Sequence, residues 1–560
     1  MPLAMRLVLL ALLLILPLLA ISENTPAKPV TKTPKLLVLV VFDQMRGDYV
    51  SKWSFLFGKD GFNKLTTEGA WFANCHYPYS MTVTGAGHAT LGTGCTPSQH
   101  GIIENDWYDR SVPGYVYCAT LGERYKMVPE GAKSKSGKAA GGAPDRLLVP
   151  ALGDYVKAAT NNKGKVIGLS LKDRGGVLPT GMKADICYWY DDNEGNFVTS
   201  NRYSDKLPTY MQQFNDTNYA DRWFGKDWNY FRTDINYSAY AGEDNMIGEG
   251  SGVKQGRTFP HPMTGGDTKV GPKFFDAVYN SPFGNDLTWE AGKVVIENEK
   301  LGQRDATDYL VVSYSSNDAV GHNWGPDSHE VLDITLRSDA IMADMIKYLD
   351  KHVGRENYVL ALSADHGICP NPEMARMQGH AADRVVITKE IVELEFFMKG
   401  QFQTAGQWIL ALSGAGVYFD HRTLRESGKT EAEVEAAVAQ WFLKRPYVQE
   451  VITRSQLLSG TPLSEFGEMT KRCFVPERSG NVMPIFKPYH FVSKYTTGTT
   501  HGSPHPYDTH VPLIFFGGPI TPGKREERVS PQHAAVVLGA TIGQKLKDSK
   551  VTVPEGLLTR

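Results

Sequence analysis

The sequence predicts an α/β fold built on a mostly parallel central sheet flanked by helices. Three observations predict it. Short β-branched runs recur without polar alternation, helix-length amphipathic segments separate them, and polar residues follow several of the runs directly. Continuous apolar runs suit strands buried on both faces, as in parallel sheets covered by helices. Strands that alternate with helices in this way define the α/β class.

Taken in order, the chain opens with Arg6, the apolar run Leu7–Ala20 and then Ala20-Ile21-Ser22, a pattern that predicts a signal peptide over 1–22. The run is short for a bilayer span, so no stable membrane anchor is expected after cleavage, and the protein is expected to be exported, periplasmic or secreted. A linker at 23–34 leads into the first core segment, 35–187. That segment contains the runs Lys35–Phe42 and Lys165–Ser170. Residues 188–287 are rich in Asn, Asp, Tyr, Trp and Gly and read as an insertion or cap near the site. The core resumes at 288–382 with Tyr309–Tyr314, the helical Ser328–His352 and Tyr358–Ser363. A small α/β insertion is predicted over 383–463, and the last core segment, 464–560, carries Val511–Phe516. At 560 residues the chain exceeds what one core accommodates.

The formal net charge of −2 supplies no global basic field for nucleic acid, so no nucleic-acid partner is expected and any anion must be held by local charge. Export places six cysteines, Cys75, Cys95, Cys118, Cys187, Cys369 and Cys473, in an oxidising space, where an even number predicts disulfide staples. No C-x-x-C pair exists, which argues against a thiolate zinc site. A monomer is expected.

In open α/β sheets, ligands bind beyond the carboxyl ends of the strands. Asp43, Lys172, Asp318 and Asp365-His366 all stand at or just past such an end. Asp318 and His322 are four residues apart, a spacing that can aim a carboxylate and an imidazole at one ion. Thr500-His501-Gly502 adds another imidazole, with His505 and His510 as competitors. Singly, each feature has a plain alternative, since an Asp after a strand commonly caps a helix or forms a turn. Together the mixed carboxylate and imidazole donors suit two divalent cations, zinc before calcium or magnesium. Ser80, Thr82 and Thr84 are candidate hydroxyl nucleophiles. The small residues Gly85-Ala86-Gly87 after Thr84 would let a phosphate approach a helix start. Lys172 and Arg174, read as extended, would share one face and clamp an anion.

Val41-Phe42-Asp43-Gln44-Met45-Arg46, Thr84-Gly85-Ala86-Gly87-His88, Asp318 with His322, Asp365-His366-Gly367 and Thr500-His501-Gly502 come in an order that resembles the alkaline phosphatase superfamily. The likeness is to its nucleotide pyrophosphatase/phosphodiesterase-related branch, and within it to the phosphate-irrepressible alkaline phosphatases. It covers about residues 35–520. The resemblance implies an alkaline-phosphatase-like sandwich with cap insertions and two Zn2+ per chain. It assigns Asp318, His322 and His501 to one zinc and Asp43, Asp365 and His366 to the other, with Thr84 beside the second as nucleophile and ligand. It also implies that Asn105 binds phosphate and that Lys172 and Arg174 favour small-molecule phosphate monoesters. A phosphodiesterase of the same superfamily is the alternative. A non-catalytic zinc or phosphate carrier is a distant one, and a sulfatase reading of Cys95-Thr96-Pro97-Ser98-Gln99 lacks the arginine its signature needs at Gln99.

Overall fold

The computed structural model describes residues 32–112, 114–132 and 141–559; the signal peptide expected over 1–22 lies outside them. Among the described residues, ten strands form the main sheet: β1 (Leu36–Phe42), β2 (Ala70–Phe72), β3 (Met127–Val128), β4 (Val166–Ser170), β5 (Ile186–Asp191), β6 (Asn196–Ser200), β7 (Asp308–Tyr314), β8 (Tyr358–Ser363), β9 (Leu513–Gly517) and β10 (Gly523–Arg525). Their spatial order is β10-β2-β9-β8-β1-β7-β4-β5-β6-β3. The centre, from β8 through β1, β7 and β4 to β5, is parallel. β9 runs antiparallel to both β8 and β2, and β6 antiparallel to β5. The sheet is therefore the mostly parallel one the apolar runs predict.

Every residue of β1, β4, β7 and β8 is buried under the helices on both faces, and the few polar ones, Ser170, Asp308, Ser313 and Ser363, lie at strand ends or hydrogen-bond inside the core. Four helices matter to the site: α1 (Thr84–Thr93), α2 (Asp173–Thr180), α3 (Ser316–Trp324) and α4 (His329–His352). All ten residues of α1 are buried. Its glycines permit this. A Cβ at Gly87 would stand 2.1 Å from the Asp365 carbonyl oxygen, and one at Gly92 would stand 2.3 Å from Pro179 Cα in α2.

A separate four-stranded sheet joins Ile409–Ser413, Gly416–Phe419, Val482–Phe486 and Val448–Thr453, with its own apolar core that includes Trp408, Val417, Phe419 and Phe442. Its strand at Val482–Phe486 lies past residue 463, where the sequence places the end of this unit.

The expected disulfides are absent. All six cysteines are free and buried. A disulfide needs Cβ atoms about 3.8 Å apart, whereas these thiols have separate surroundings. Cys187 Sγ lies 3.3 Å from Thr180 Oγ1, and Cys473 Sγ accepts the Met81 N–H at 3.3 Å. Burial pushes Cys187 and Cys473 up to about 11 and Cys95 to about 12, so they act as small apolar core residues.

Candidate active site

The four central strands β8, β1, β7 and β4 end side by side, and each delivers polar groups to one place. Asp43 follows β1 directly, Lys172 stands two residues past β4, Asp318 lies in the first turn of α3 after β7, and Asp365-His366 follows β8. The donor atoms of Asp318, His322 and His501 lie within 4.8 Å of one another, and so do those of Asp43, Asp365 and His366. The six side chains predicted as ligands thus fall into the two predicted triads.

The imidazoles are oriented alike. His322 Nδ1 stands 2.8 Å from the Thr499 carbonyl, His366 Nδ1 2.9 Å from the Gly367 carbonyl, and His501 Nδ1 2.8 Å from the Thr82 carbonyl. A carbonyl accepts only, so each Nδ1 carries the proton and each Nε2 presents a lone pair. Those lone pairs face inward: His322 Nε2 is 3.1 Å and His501 Nε2 3.6 Å from Asp318 Oδ1, while His366 Nε2 is 3.5 Å from Asp43 Oδ1. This is how proteins fix metal-binding histidines. Asp43 Oδ1 is fully buried without a hydrogen-bond donor. A buried carboxylate oxygen without a partner is costly, and a cation would satisfy it, so the residues present fit a pair of divalent ions.

The electrostatics reflect this crowding. Burial and the neighbouring Asp365 carboxylate push Asp43 well above the usual carboxylate range. Burial also opposes ionisation of Asp318, but His322 and Lys172 outweigh it and hold Asp318 well below that range. Burial and the adjacent His366 and His322 hold His501 well below the ordinary histidine value, which keeps its Nε2 unprotonated. His501 and His366 stack with ring centroids 3.5 Å apart.

Thr84 is the first residue of α1 and is buried, with Oγ1 3.4 Å from His366 Nε2. Of the three candidate hydroxyls it is the one at the cluster; Thr82 Oγ1 instead donates to the Ser503 carbonyl at 2.9 Å. Asn105 Oδ1 accepts the Gly85 N–H at 2.7 Å, which sets the amide beside the residue after Thr84. Lys172 Nζ lies between the triads, 2.6 Å from Asp43 Oδ2 and 2.6 Å from Asp318 Oδ2. Arg174 does not share an extended face with Lys172. Lys172 caps α2, Arg174 falls in its first turn, and its Nη1 donates to the Tyr117 hydroxyl at 3.4 Å. His505 and His510 stand outside the triads, against the carbonyls of Phe486 and Ala73.

Two supporting residues escape a reading of the sequence. Gln44 adopts φ 70°; its backbone N–H donates to Asp365 Oδ1 at 3.0 Å and its Nε2 to Asp318 Oδ1 at 2.6 Å, so it binds one acid of each triad. His88 places Nδ1 2.9 Å from the Thr84 carbonyl and 3.1 Å from Asp365 Oδ2, and its Nε2 2.8 Å from Ser313 Oγ in β7. Nothing in the spacing marks Gln44; its signal is a polar residue directly after the Asp that ends β1.

Comparison with known proteins identifies the fold and the family. The alkaline phosphatase PafA of Elizabethkingia meningoseptica is 34% identical over 528 residues, covering 94% of this chain and 93% of its own. The alkaline phosphatase PhoV of Synechococcus elongatus is 32% identical over 509 residues, 91% of this chain and 90% of its own. The crystal structure of wild-type PafA superposes with a TM-score of 0.87 at 32% identity, over 94% of this chain and 99% of that one. Residues 37–508 match the family described as type I phosphodiesterase / nucleotide pyrophosphatase. The match spans most of the chain and the PafA relative is 34% identical over nearly all of it, so the chain belongs to that family.

Proposed function

We propose that the protein is a two-zinc alkaline phosphatase that hydrolyses phosphate monoesters of broad specificity through a covalent phosphothreonine at Thr84. The observation that carries this reading is one buried hydroxyl, Thr84 Oγ1, set beside one of two adjoining donor triads. Asp318, His322 and His501 would hold one ion and Asp43, Asp365 and His366 the other, with Thr84 added to the second set. Three carboxylates mixed with three neutral imidazoles suit zinc, whereas calcium and magnesium favour oxygen donors. When bound, two such cations supply Lewis-acid charge for the attacking and departing oxygens of an in-line displacement and ease deprotonation of the hydroxyl.

The chain's own residues account for the rest. Thr84 Oγ1 gives up its proton to solvent and attacks phosphorus, the ester oxygen departs with its electron pair and takes a proton from water, and a second water then cleaves the phosphothreonine, its oxygen passing to phosphate and a proton returning to Thr84 Oγ1. The transferred group lies at the start of α1, where the helix dipole favours an anion. Asn105, Lys172 and Arg174 would hold the three non-bridging oxygens, over which charge is spread during transfer. Two cationic side chains match the charge and free oxygens of a monoester better than those of a diester, which favours the phosphatase over the phosphodiesterase named in the family description. Similarity to two proteins named alkaline phosphatase supports the same choice. The mature protein acts as an exported monomer, periplasmic or secreted.

The test joins metal analysis to kinetics on p-nitrophenyl phosphate and its bis ester, for wild type and Thr84→Ala. About two zinc ions per chain, faster turnover of the monoester and loss of turnover in Thr84→Ala are expected. Full activity in Thr84→Ala, or a preference for the bis ester, would overturn the reading. N-terminal sequencing of the mature protein tests export.

A further inference from the structure

A cavity of about 370 Å³ opens between the site and the small α/β unit. Its inner wall is Val83, next to the nucleophile, with His501 and Gly502; its outer wall includes Met81, Leu412 and Phe486, the last two from the small four-stranded sheet. Its volume is within the range of small-ligand pockets. Asn105, Lys172 and Arg174, the residues assigned to the phosphate oxygens, do not line it.

Geometry decides what can enter. In an in-line displacement the departing oxygen lies opposite the attacking one. Thr84 stands at the Asp43, Asp365 and His366 triad, so the departing oxygen points to the Asp318, His322 and His501 triad. His501 belongs to that triad and also lines the cavity. A group carried on the departing oxygen therefore runs into this space.

Chemistry narrows the occupant. The lining is mostly apolar and, among the described residues, contains no lysine or arginine. Its acidic members are Asp508 and Glu104; the Glu104 carboxylate accepts the N–H groups of Gly414 and Ala415, each at 3.1 Å. A leaving group with its own phosphate or carboxylate meets the imidazoles of His490 and His501 but no guanidinium or ammonium among the described lining residues.

Resting on the phosphatase reading above, we infer that the cavity is a leaving-group subsite and that the preferred substrates are phosphate monoesters of uncharged, apolar alcohols or phenols of one or two rings. The probes are methyl-, benzyl-, 4-carboxybenzyl- and naphthylmethylphosphonate as competitive inhibitors of p-nitrophenyl phosphate hydrolysis by the zinc-loaded enzyme. A second ring adds about 60 Å² of apolar contact, so naphthylmethylphosphonate should bind roughly ten-fold tighter than benzylphosphonate. The carboxylated compound should bind more weakly than benzylphosphonate. Leu412→Ser should shrink the naphthyl preference to about three-fold or less while leaving methylphosphonate within about two-fold of wild type. Phe486→Ala serves the same purpose if Leu412→Ser does not fold. Equal inhibition constants across the series, in an enzyme that hydrolyses monoesters and is inhibited by methylphosphonate, would overturn the subsite and leave the phosphatase reading intact. Failure to hydrolyse any monoester would remove that reading, and the subsite with it.

Discussion

Replacing Lys172 with alanine removes the ammonium group that joins the two acid clusters. Its side chain is 3% exposed, and it lies 2.6 Å from carboxylates of Asp43 and Asp318 whose side chains are 0% and 8% exposed. Deleting one partner of a buried ion pair costs about 3–5 kcal/mol, because the other charge is left without compensation. Here one cation serves two carboxylates and a third, Asp365, crowds Asp43, so the upper half of that range is expected for the metal-free protein. With zinc bound the carboxylates have other counter-charges, and the loss should fall to about 1 kcal/mol, mostly the packing of the lysine stem. Urea unfolding of wild type and Lys172→Ala, each after chelation and after zinc loading, measures both quantities. The same two proteins assayed on mono- and diesters should show a rate loss of about 10²–10³ on the monoester and a much smaller one on the diester. A stability loss that is the same with and without zinc would refute the electrostatic argument, and equal rate losses on both esters would remove Lys172 from the phosphate.

Gly87→Ala would press a methyl group to 2.1 Å from the Asp365 carbonyl oxygen, so α1 must shift away from β8; we expect about 1–3 kcal/mol of destabilisation in urea and about a 10²-fold fall in kcat, since small displacements of catalytic groups are expensive. Gln44→Ala takes a donor from Asp318 and should weaken zinc binding about 10–100-fold in a competition titration, with the fold retained. Glu330 in α4 is fully buried, its Oε1 stands 3.0 Å from the equally buried His261 Nε2, and burial pushes it up to about 8. A carboxyl group raised in the folded state binds protons more tightly there than when unfolded. Its stabilising contribution is therefore complete below about pH 4.5 and is lost as pH rises towards 8. Glu330→Gln should flatten the decline of Tm across that window; an unchanged pH profile would place the ionised form in the native protein.

Much of this was legible in the sequence for a physical reason. The runs ending at Phe42, Ser170, Tyr314 and Ser363 are apolar at nearly every position, which only a strand covered on both faces tolerates, and the residues just past such a strand lie at the ligand-binding edge of the sheet. The direction of β9 was not legible, because Leu513–Gly517 has the same apolar character as its parallel neighbours and strand direction depends on the path of the preceding loop. The Lys172-x-Arg174 spacing misled because Asp173, at the first helical position, starts α2 one residue after Lys172 and turns Arg174 towards Tyr117. Cysteine parity misled because a buried thiol packs as well as any small apolar group. The part played by Gln44 depends on a positive φ that no residue type announces.

The side-by-side endings of β8, β1 and β7 act as a ruler. Adjacent strands in any sheet are about 4.8 Å apart, a spacing set by backbone hydrogen bonds and indifferent to side chains. Phe42 is in register with Tyr314 and Val41 with Ser363, so Asp43 and Asp365, one and two residues past their strands, are spaced by the ladder, while Asp318 is carried by the first turn of α3. That pitch is close to the separation of about 3.5–4 Å at which paired cations assist phosphoryl transfer. The spacing of Asp43 and Asp365 is thus written into the peptide backbone, and the separate four-stranded unit that lines the cavity can change length and sequence without disturbing it.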